Sequence, residues 1–510
     1  METLLQPTPY RFALSAFIGT VLFYILCRII YNVFYHPLRS YPGPWLWGAS
    51  RLPYTISIFH GVATHRIKVL HERYGQVVRI APDSLSYTTG QVWKDVYASG
   101  HTSRTGNLPK DPKFYILLPG VIENISTASE ASHRRLRKIQ GGAFSEKAIS
   151  LQEPYLLLNI KRFITCLRNE AARNCGIVDI TKWVDILAAD AIGDLCFGES
   201  FGGLDSGQQH PWLRSLFTTT KAFTFAREIL RLPAPIIRFA LACIPMKMRR
   251  HQNAALPFGE RAAQRRMGRQ TDRPDFMSYM LRNIDDGSEG MSQAEIDMAA
   301  TTFIFAGSET TATMITGTIY LLLSNPAVLD ELTKRVRVDF PHESDLVNIK
   351  LQQHEYLDCV LKEGLRLYPP TPDKLFRTTK DRSVVVAGRV VPPHTSLTIN
   401  VWAAHRDPAN FHRPLEFVPE RWAKETPREF LEDDRNVFKP FSVGPRDCIG
   451  KNLAWAQMRL IIAHLVWHFD FLAIEPDSLQ WIERQKIFTL WAKLPLNVRI
   501  VPRRHQADEE

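Results

Sequence analysis

The sequence predicts a mainly α-helical chain with small β-sheets. Three observations carry this. Apolar residues recur with helical period through most of the 510 residues, 45% of which are hydrophobic. Two short segments alternate in the manner of hairpins. A third, from Ser292 to near Ser324, is helical in pattern and apolar almost all round from Ala299 onward. It holds about 30 residues and would run roughly 45 Å, which implies a helix through the core of a large domain.

The elements follow in chain order. Phe12 to Cys27 is almost wholly apolar, and Ile29 to Tyr35 extends the run past Arg28. About 20 residues span a bilayer as a helix. The segment qualifies if Arg28 snorkels to the interface, with Tyr10, Tyr31 and Tyr35 placed for the two interfaces. A cleaved signal peptide is the competing reading. The long apolar run, a leading end poor in positive charge and the want of an A-x-A-like site argue against it. Arg11 alone precedes the span closely, while Arg28 and Arg39 follow it, which leaves the bulk of the chain in the cytoplasm. Tyr41-Pro42-Gly43-Pro44 is a stiff turn where the chain leaves the membrane. Residues 1–40 are thus the anchor and the start of the hinge. Residues 41–510 form one large domain, since no repeat or low-complexity linker divides them.

Tyr74 to Tyr87 reads as a hairpin, with Val77, Val78 and Ile80 before a Pro82-Asp83 turn and Leu85 and Tyr87 after it. Ser383 to Asn400 reads as another, turning near Ala387-Gly388. The long helix opens on Ser292-Gln293-Ala294-Glu295, a capping box, and stops at Asn325-Pro326. A second transmembrane span is its rival reading, opposed by Glu309 and the Thr-rich sequence. Phe488 to Val501 has strand character, broken at Pro495.

The net charge of +11 admits nucleic acid, a membrane surface or an acidic partner. No dense basic run with interleaved aromatics occurs, which argues against nucleic acid. Seven cysteines (Cys27, Cys166, Cys175, Cys196, Cys243, Cys359 and Cys448) form no C-x-x-C pair. An odd, dispersed set points to a reducing compartment and away from a zinc cage.

One stretch says most about chemistry: Phe441-Ser442-Val443-Gly444-Pro445-Arg446-Asp447-Cys448-Ile449-Gly450. Glycine lets the backbone pass close to something large and flat. Arg446 offers a planar cationic fork for an anion. A helical run from Lys451 places a helix N-terminus behind Cys448, which stabilises a thiolate. Such a cysteine suits one strong bond to a metal. Within the long helix lies Ala306-Gly307-Ser308-Glu309-Thr310-Thr311. An acid is expensive to bury there without purpose, Gly307 weakens the helix, and hydroxyls can bond back to the preceding turn. Together they predict a kink that admits a ligand or water. Glu363 and Arg366, three apart, share a helix face.

The order Phe-x-x-Gly-x-Arg-x-Cys-x-Gly resembles the haem-binding loop of cytochromes P450. The motif around Glu309-Thr310, the E-x-x-R of Glu363 and Arg366 followed by Leu367-Tyr368-Pro369-Pro370, and Phe417-Val418-Pro419-Glu420-Arg421-Trp422 are similar to that family's elements and stand in its order. Tyr35-His36-Pro37-Leu38, Gly43-Pro44-Trp45-Leu46-Trp47 and Gly142-Ala143-Phe144-Ser145 resemble fungal microsomal P450 monooxygenases of secondary metabolism.

The resemblance implies the cytochrome P450 fold, a helical bundle with a long central helix around a buried haem. It implies haem b (iron protoporphyrin IX) with Cys448 as the iron ligand, framed by Phe441, Gly444, Arg446 and Gly450, and with Ala306 over the distal face. Glu309 and Thr310 would deliver protons during oxygen activation. Glu363, Arg366 and Arg421 would form a structural ion network. Propionate partners would be Arg446, Arg377 (where Phe376 replaces the family's frequent Pro) and the pair His133 and Arg137, with His133 where the family has Trp. Arg134, Arg135 and Lys138 would face solvent or an acidic partner. His405 belongs to the domain body. The substrate pocket would draw on Phe303, Phe305, Ala306, Leu375 and Leu490.

The implied activity is insertion of one oxygen atom from O2 into a lipophilic terpenoid, polyketide or alkaloid-like intermediate. Electrons would come from NADPH through NADPH-cytochrome P450 reductase, with cytochrome b5 a further partner. The reductase would dock near Lys439, Arg446 and Lys451, and the chain would sit in the endoplasmic reticulum membrane. Two rivals stay open: a P450 that dehydrates, isomerises or rearranges peroxides without net oxygen insertion, and a non-enzymatic membrane haem sensor.

Overall fold

A computed structural model describes residues 9–98, 107–117, 121–232, 237, 259–281, 290–373 and 375–503. Cys243, Lys374 and parts of the expected substrate loops (100–125 and 205–250) lie outside the described residues. The helices that matter here are α1 (Pro9–Ile30), α2 (Ala63–Tyr74), α3 (Glu130–Gly141), α4 (Glu146–Arg173), α5 (Ile180–Phe197), α6 (Pro211–Ile229), α7 (Gln293–Leu323), α8 (Pro326–Asp339), α9 (Glu355–Leu367) and α10 (Lys451–His468).

The long helix α7 forms as its sequence dictates. Ser292 accepts from the Glu295 amide while the Glu295 side chain reaches back to the Ser292 amide, a full capping box. The helix ends at Ser324 before Asn325-Pro326. It is apolar around its circumference and packs along α5, α9 and α10, inside the main core that holds Ile304, Ile315, Leu195 and Leu460. Gly307 and Gly317 permit this packing. A Cβ at Gly307 would meet Ile192 Cδ1 of α5 at 2.6 Å, and one at Gly317 would overlap the Tyr368 ring. The helix runs unbroken through Gly307, where the glycine serves a close helix crossing.

The strands are β1 (Val77–Ala81), β2 (Ser84–Tyr87), β3 (Ile177–Asp179), β4 (Arg377–Thr378), β5 (Val384–Val386), β6 (Arg389–Val391), β7 (Ser396–Ile399), β8 (Phe469–Ile474), β9 (Lys486–Phe488), β10 (Leu490–Ala492) and β11 (Asn497–Pro502). β1 and β2 form the first expected hairpin about Pro82-Asp83. The second hairpin is shorter than expected. Only β5 and β6 pair across Ala387-Gly388, while β7 joins the other sheet, parallel to β2 and antiparallel to β4, in the order β1-β2-β7-β4. Alternation alone cannot tell which strand a β-branched run will pair with. The carboxyl end makes the hairpin β9–β10 and then β11 between β3 and β8.

The apolar amino-terminal stretch Phe12–Tyr35 is long and apolar enough to cross a membrane, and none of its most apolar window is buried. Regular helix stops at Ile30 and a wider turn covers Tyr31–Tyr35. Asn32 is already docked on the body: its side chain donates to the Ala49 carbonyl at 2.8 Å, and Arg79 donates to its carbonyl at 3.0 Å.

Candidate active site

The cysteine loop is built by local backbone geometry. The Cys448 amide donates to the Phe441 carbonyl at 2.9 Å, folding residues 441–448 back on themselves before α10 begins at Lys451. Ser442 (φ 61°) and Gly444 (φ 80°) take left-handed conformations. Gly444 is not spared for a flat ligand: a Cβ there would overlap the Tyr97 carbonyl. A Cβ at Gly450 would meet only Phe144, at 3.9 Å. Cys448 is wrapped by protein, yet its surface is accessible because it opens into a cavity. Burial pushes its thiol pKa up, the Gly450 amide pulls it back, and Asp447 adds to the rise.

That cavity holds about 320 Å³ and joins the cysteine loop to the long helix. Cys448, Phe441, Arg446 and Gly450 line it together with Ala306, Gly307, Thr310 and Thr311. Its apolar wall includes Phe303, Phe144, Phe276, Ile192, Leu375 and Val401. Ala306, mid-helix in the core, is nonetheless exposed, because its surface faces this space. Phe303 and Leu375, expected in a substrate pocket, line this cavity. Phe305 and Leu490 are not among the lining residues. Phe305 lies on another face of α7 from the stripe of Phe303, Ala306, Gly307 and Thr310, and Leu490 is buried in the β9–β10 hairpin.

The hydroxyls of α7 bond back as expected: Ser308 to the Ile304 carbonyl and Thr310 to the Ala306 carbonyl, both at 2.6 Å. Thr310 thus spends its proton on the helix and offers its oxygen lone pairs to the cavity. Glu309 points elsewhere. Its Oε1 is 3.2 Å from Lys493 Nζ, and the Thr313 hydroxyl donates to it at 3.4 Å. Lys493 also pairs with Asp185 of α5. Burial pushes the Asp185 carboxyl up to about 6, with Lys493 working against the rise and Glu309 adding to it. For Lys493, burial favours the neutral amine, but the two carboxylates override that and raise its pKa. Neither Asp185 nor Lys493 stands out in sequence. They lie far from the motif in the chain and meet it only through packing.

Around the cavity stands a set of basic side chains. Arg377 of β4 is buried, and its Nε and Nη1 have no hydrogen-bond partner among the described residues. Arg446 donates through Nη2 to the Ala128 carbonyl at 2.8 Å and lies 3.5 Å from Glu130, while its buried Nη1 has no partner among the described residues. Lys110 also lines the cavity and donates to the Ser126 carbonyl. Burial, with Arg377 and Arg446 nearby, lowers its pKa to about 6. The sequence reading missed Lys110, which sits in no motif and is brought in by a bridge to Arg377. His133 does not line the cavity; it is buried, its Nδ1 has no partner among the described residues, and burial followed by Arg446 and Lys110 lowers its pKa to about 4. Buried guanidinium nitrogens left unpaired are costly unless an anion meets them. Two such nitrogen groups, on a cavity that also presents a thiol, fit the two propionates of a haem.

Arg137 differs from its expected role. It donates to the Asp447 carboxylate at 2.6 Å and carbonyl at 2.7 Å, so it braces the cysteine loop and does not line the cavity. Arg135 does not face solvent. It pairs with Glu295 at the cap of α7, whereas Arg134 is exposed as expected. Arg446, its side chain 7% exposed, is not available to a docking partner.

Beneath the loop lies the ion network. Glu363 takes both forks of Arg366 at 2.8 Å, Arg421 Nε at 3.0 Å, Trp422 Nε1 at 2.9 Å and the Val418 amide at 3.0 Å. Burial would push its carboxyl up, but these donors, Arg366 first, hold its pKa below the usual range. Arg366 also donates to the carbonyls of His405, Pro414 and Glu416. Asp433, which carries no sequence signal, completes the set at 2.6 Å from Arg421. His405 is fully buried and hydrogen-bonds the Arg366 carbonyl through Nδ1, a body residue as expected.

Comparison with known proteins agrees. The sequence model of the family described as Cytochrome P450 matches residues 45–498. The chain is similar to cytochrome P450 monooxygenase aclL of Aspergillus oryzae, 38% identical over 96% of this chain and 98% of that one. It is similar to averantin hydroxylase of Dothistroma septosporum (37%, covering 95% and 91%) and to trichothecene C-15 hydroxylase of Fusarium sporotrichioides (36%, covering 95% and 97%). The fold matches the crystal structure of the cytochrome P450DA heme domain with a TM-score of 0.71 at 18% identity, over 87% of this chain and 94% of that one. The sequence match over nearly the whole chain, the helical architecture and the cysteine loop meeting the long helix lead to one conclusion: the chain belongs to the cytochrome P450 family, as a monooxygenase resembling those of fungal secondary metabolism.

Proposed function

We propose that this P450 inserts one oxygen atom of O2 into a lipophilic intermediate of terpenoid, polyketide or alkaloid type, with electrons from NADPH delivered by NADPH-cytochrome P450 reductase. The observation that carries the reading is the shared cavity: Cys448, Thr310 and unpaired arginine nitrogens all reach it. Haem b would be held by the Cys448 thiolate on iron and by Arg377, Arg446 and Lys110 on the propionates. Bound there, it supplies oxygen activation, since a thiolate ligand pushes electron density that favours O–O cleavage.

The chain's own residues supply the rest. Phe303, Ile192, Leu375 and Val401 exclude water and give an apolar surface for substrate. Thr310 accepts a proton-bearing partner through its free lone pairs. Glu309, parked on Lys493, must turn toward the cavity or hand its proton over through water. The Phe12–Tyr35 helix supports a single-pass anchor in the endoplasmic reticulum membrane, with the 41–510 domain in the cytoplasm. Lys451, exposed beside the cysteine loop, supports reductase docking there.

The test is direct. The purified chain, reduced and exposed to carbon monoxide, should show the thiolate-type Soret band, and Cys448→Ser should abolish it. A chain without porphyrin overturns the reading. With reductase, NADPH and isotopically labelled O2, averantin and a trichothecene are the first probes, after the relatives' names. Label in the product supports oxygen insertion, and product without label moves the enzyme to dehydration or isomerisation.

A further inference from the structure

We propose that Glu343, His464 and His468 form a binding site for a divalent transition metal of the zinc type, at the end of α10 away from the cysteine loop. Each residue offers one donor atom, and the three atoms lie within 4.8 Å of one another. His464 and His468 stand four residues apart on α10, so one face of the helix presents both. Their rings are stacked, with centroids 5.9 Å apart and planes at 15°. Glu343 comes from the short 3₁₀ turn Glu343–Asp345 that follows α8, and its Oε1 is 3.5 Å from His468 Nε2.

A second observation points to a ligand. His464 is 1% exposed, and among the described residues neither of its ring nitrogens has a hydrogen-bond partner of proper geometry. A buried imidazole with two unsatisfied nitrogens is costly. A neutral imidazole keeps a lone pair for a metal, and the Leu346 main chain lies beside one ring nitrogen. A ligating histidine commonly gives its other nitrogen to a carbonyl such as that of Leu346.

The donor set suits zinc. Two imidazoles and a carboxylate, with water in the fourth position, make a tetrahedral site with bonds of about 2.0–2.2 Å. Closing the cluster to that size asks for a shift on the order of 1 Å, and Glu343, its side chain 36% exposed on a short turn, is the group able to move. Arg168 donates to His468 Nδ1 at 3.1 Å. When the ion takes Nε2, the ring proton passes to Nδ1 and Arg168, only half-buried, turns outward. The ion would clasp the segment after α8 to the far end of the helix that starts at the cysteine loop.

The test uses untagged, haem-loaded full-length protein. It is equilibrated with zinc chloride and gel-filtered, and zinc is measured by elemental analysis. The expected result is about one zinc per chain, reduced roughly tenfold or more by Glu343→Ala and by His464→Gln. Glu343 is partly exposed, so Glu343→Ala should keep the reduced CO spectrum. Zinc should raise the thermal midpoint of the parent chain and leave that of Glu343→Ala unmoved. Zinc no higher in the parent than in Glu343→Ala, or zinc undiminished in both variants, would overturn the site. Neither outcome bears on the oxygen chemistry, which the CO spectrum and labelled product decide separately.

Discussion

Glu309 carries its charge against Lys493, not against Thr310. Two carboxylates, Glu309 and Asp185, share one buried ammonium, and burial, with Glu309 adding to it, pushes the Asp185 carboxyl up to about 6. Lys493 therefore sets where Glu309 rests. Replacing it with Met should cut product formed per NADPH consumed on the order of tenfold, with the reduced CO spectrum kept. Lys493→Arg should restore most of the coupling, and a Met variant with unchanged coupling would remove Lys493 from the proton path. Gly444 is a second residue with a sharp requirement, since it joins φ 80° to contact with the Tyr97 carbonyl. Gly444→Ala should cost more than about 1 kcal/mol, read as a lower urea midpoint and poorer haem retention.

At the level of elements, α9 and the segment around Trp422 are locked by Glu363. Glu363, Arg366 and Arg421 are each at most 1% exposed, which makes the network sensitive to the loss of one member. Arg421→Ala leaves Glu363 and Asp433 undercompensated and should destabilise the chain by about 3–5 kcal/mol in equilibrium unfolding. The helix and sheet elements also carry buried neutral histidines. His71 of α2, held between the Gly75 carbonyl and the Ser86 hydroxyl, has its pKa lowered by burial to about 4. Burial lowers that of His405 to about 3. A histidine whose folded pKa lies below its unfolded value of 6.5 binds fewer protons when folded, so stability is present above 6.5 and lost as pH falls through that value. The thermal midpoint should fall between pH 6.5 and 4, and His71→Gln should make that fall shallower.

For the whole molecule, the apolar α1 helix and the docked Asn32 define how far an anchor can extend. Tyr31 to Tyr35 continue the apolar run, yet Asn32 is tied to Ala49 and Arg79 on the body. A membrane-embedded part would therefore end near Ile30. Removing residues 1–30 should move the protein from the membrane fraction to the soluble one and leave the reduced CO spectrum intact. Loss of that spectrum would mean that the amino-terminal segment belongs to the folded body.

Local signals settled much of this protein. The capping box of α7, the stop at Asn325-Pro326, the turn at Pro82-Asp83 and the pattern around Cys448 each act over a few residues, where backbone preferences and spacing determine the outcome. Burial and long-range pairing are different. That β7 leaves its hairpin for β2, that Gly307 serves a crossing with Ile192, that Arg137 braces Asp447, and that Lys110, Asp185, Asp433 and Lys493 join the site all depend on segments remote in the chain. Side-chain partners of that kind follow from how elements pack, and packing is decided by the summed contacts of the whole core, which no window of sequence contains.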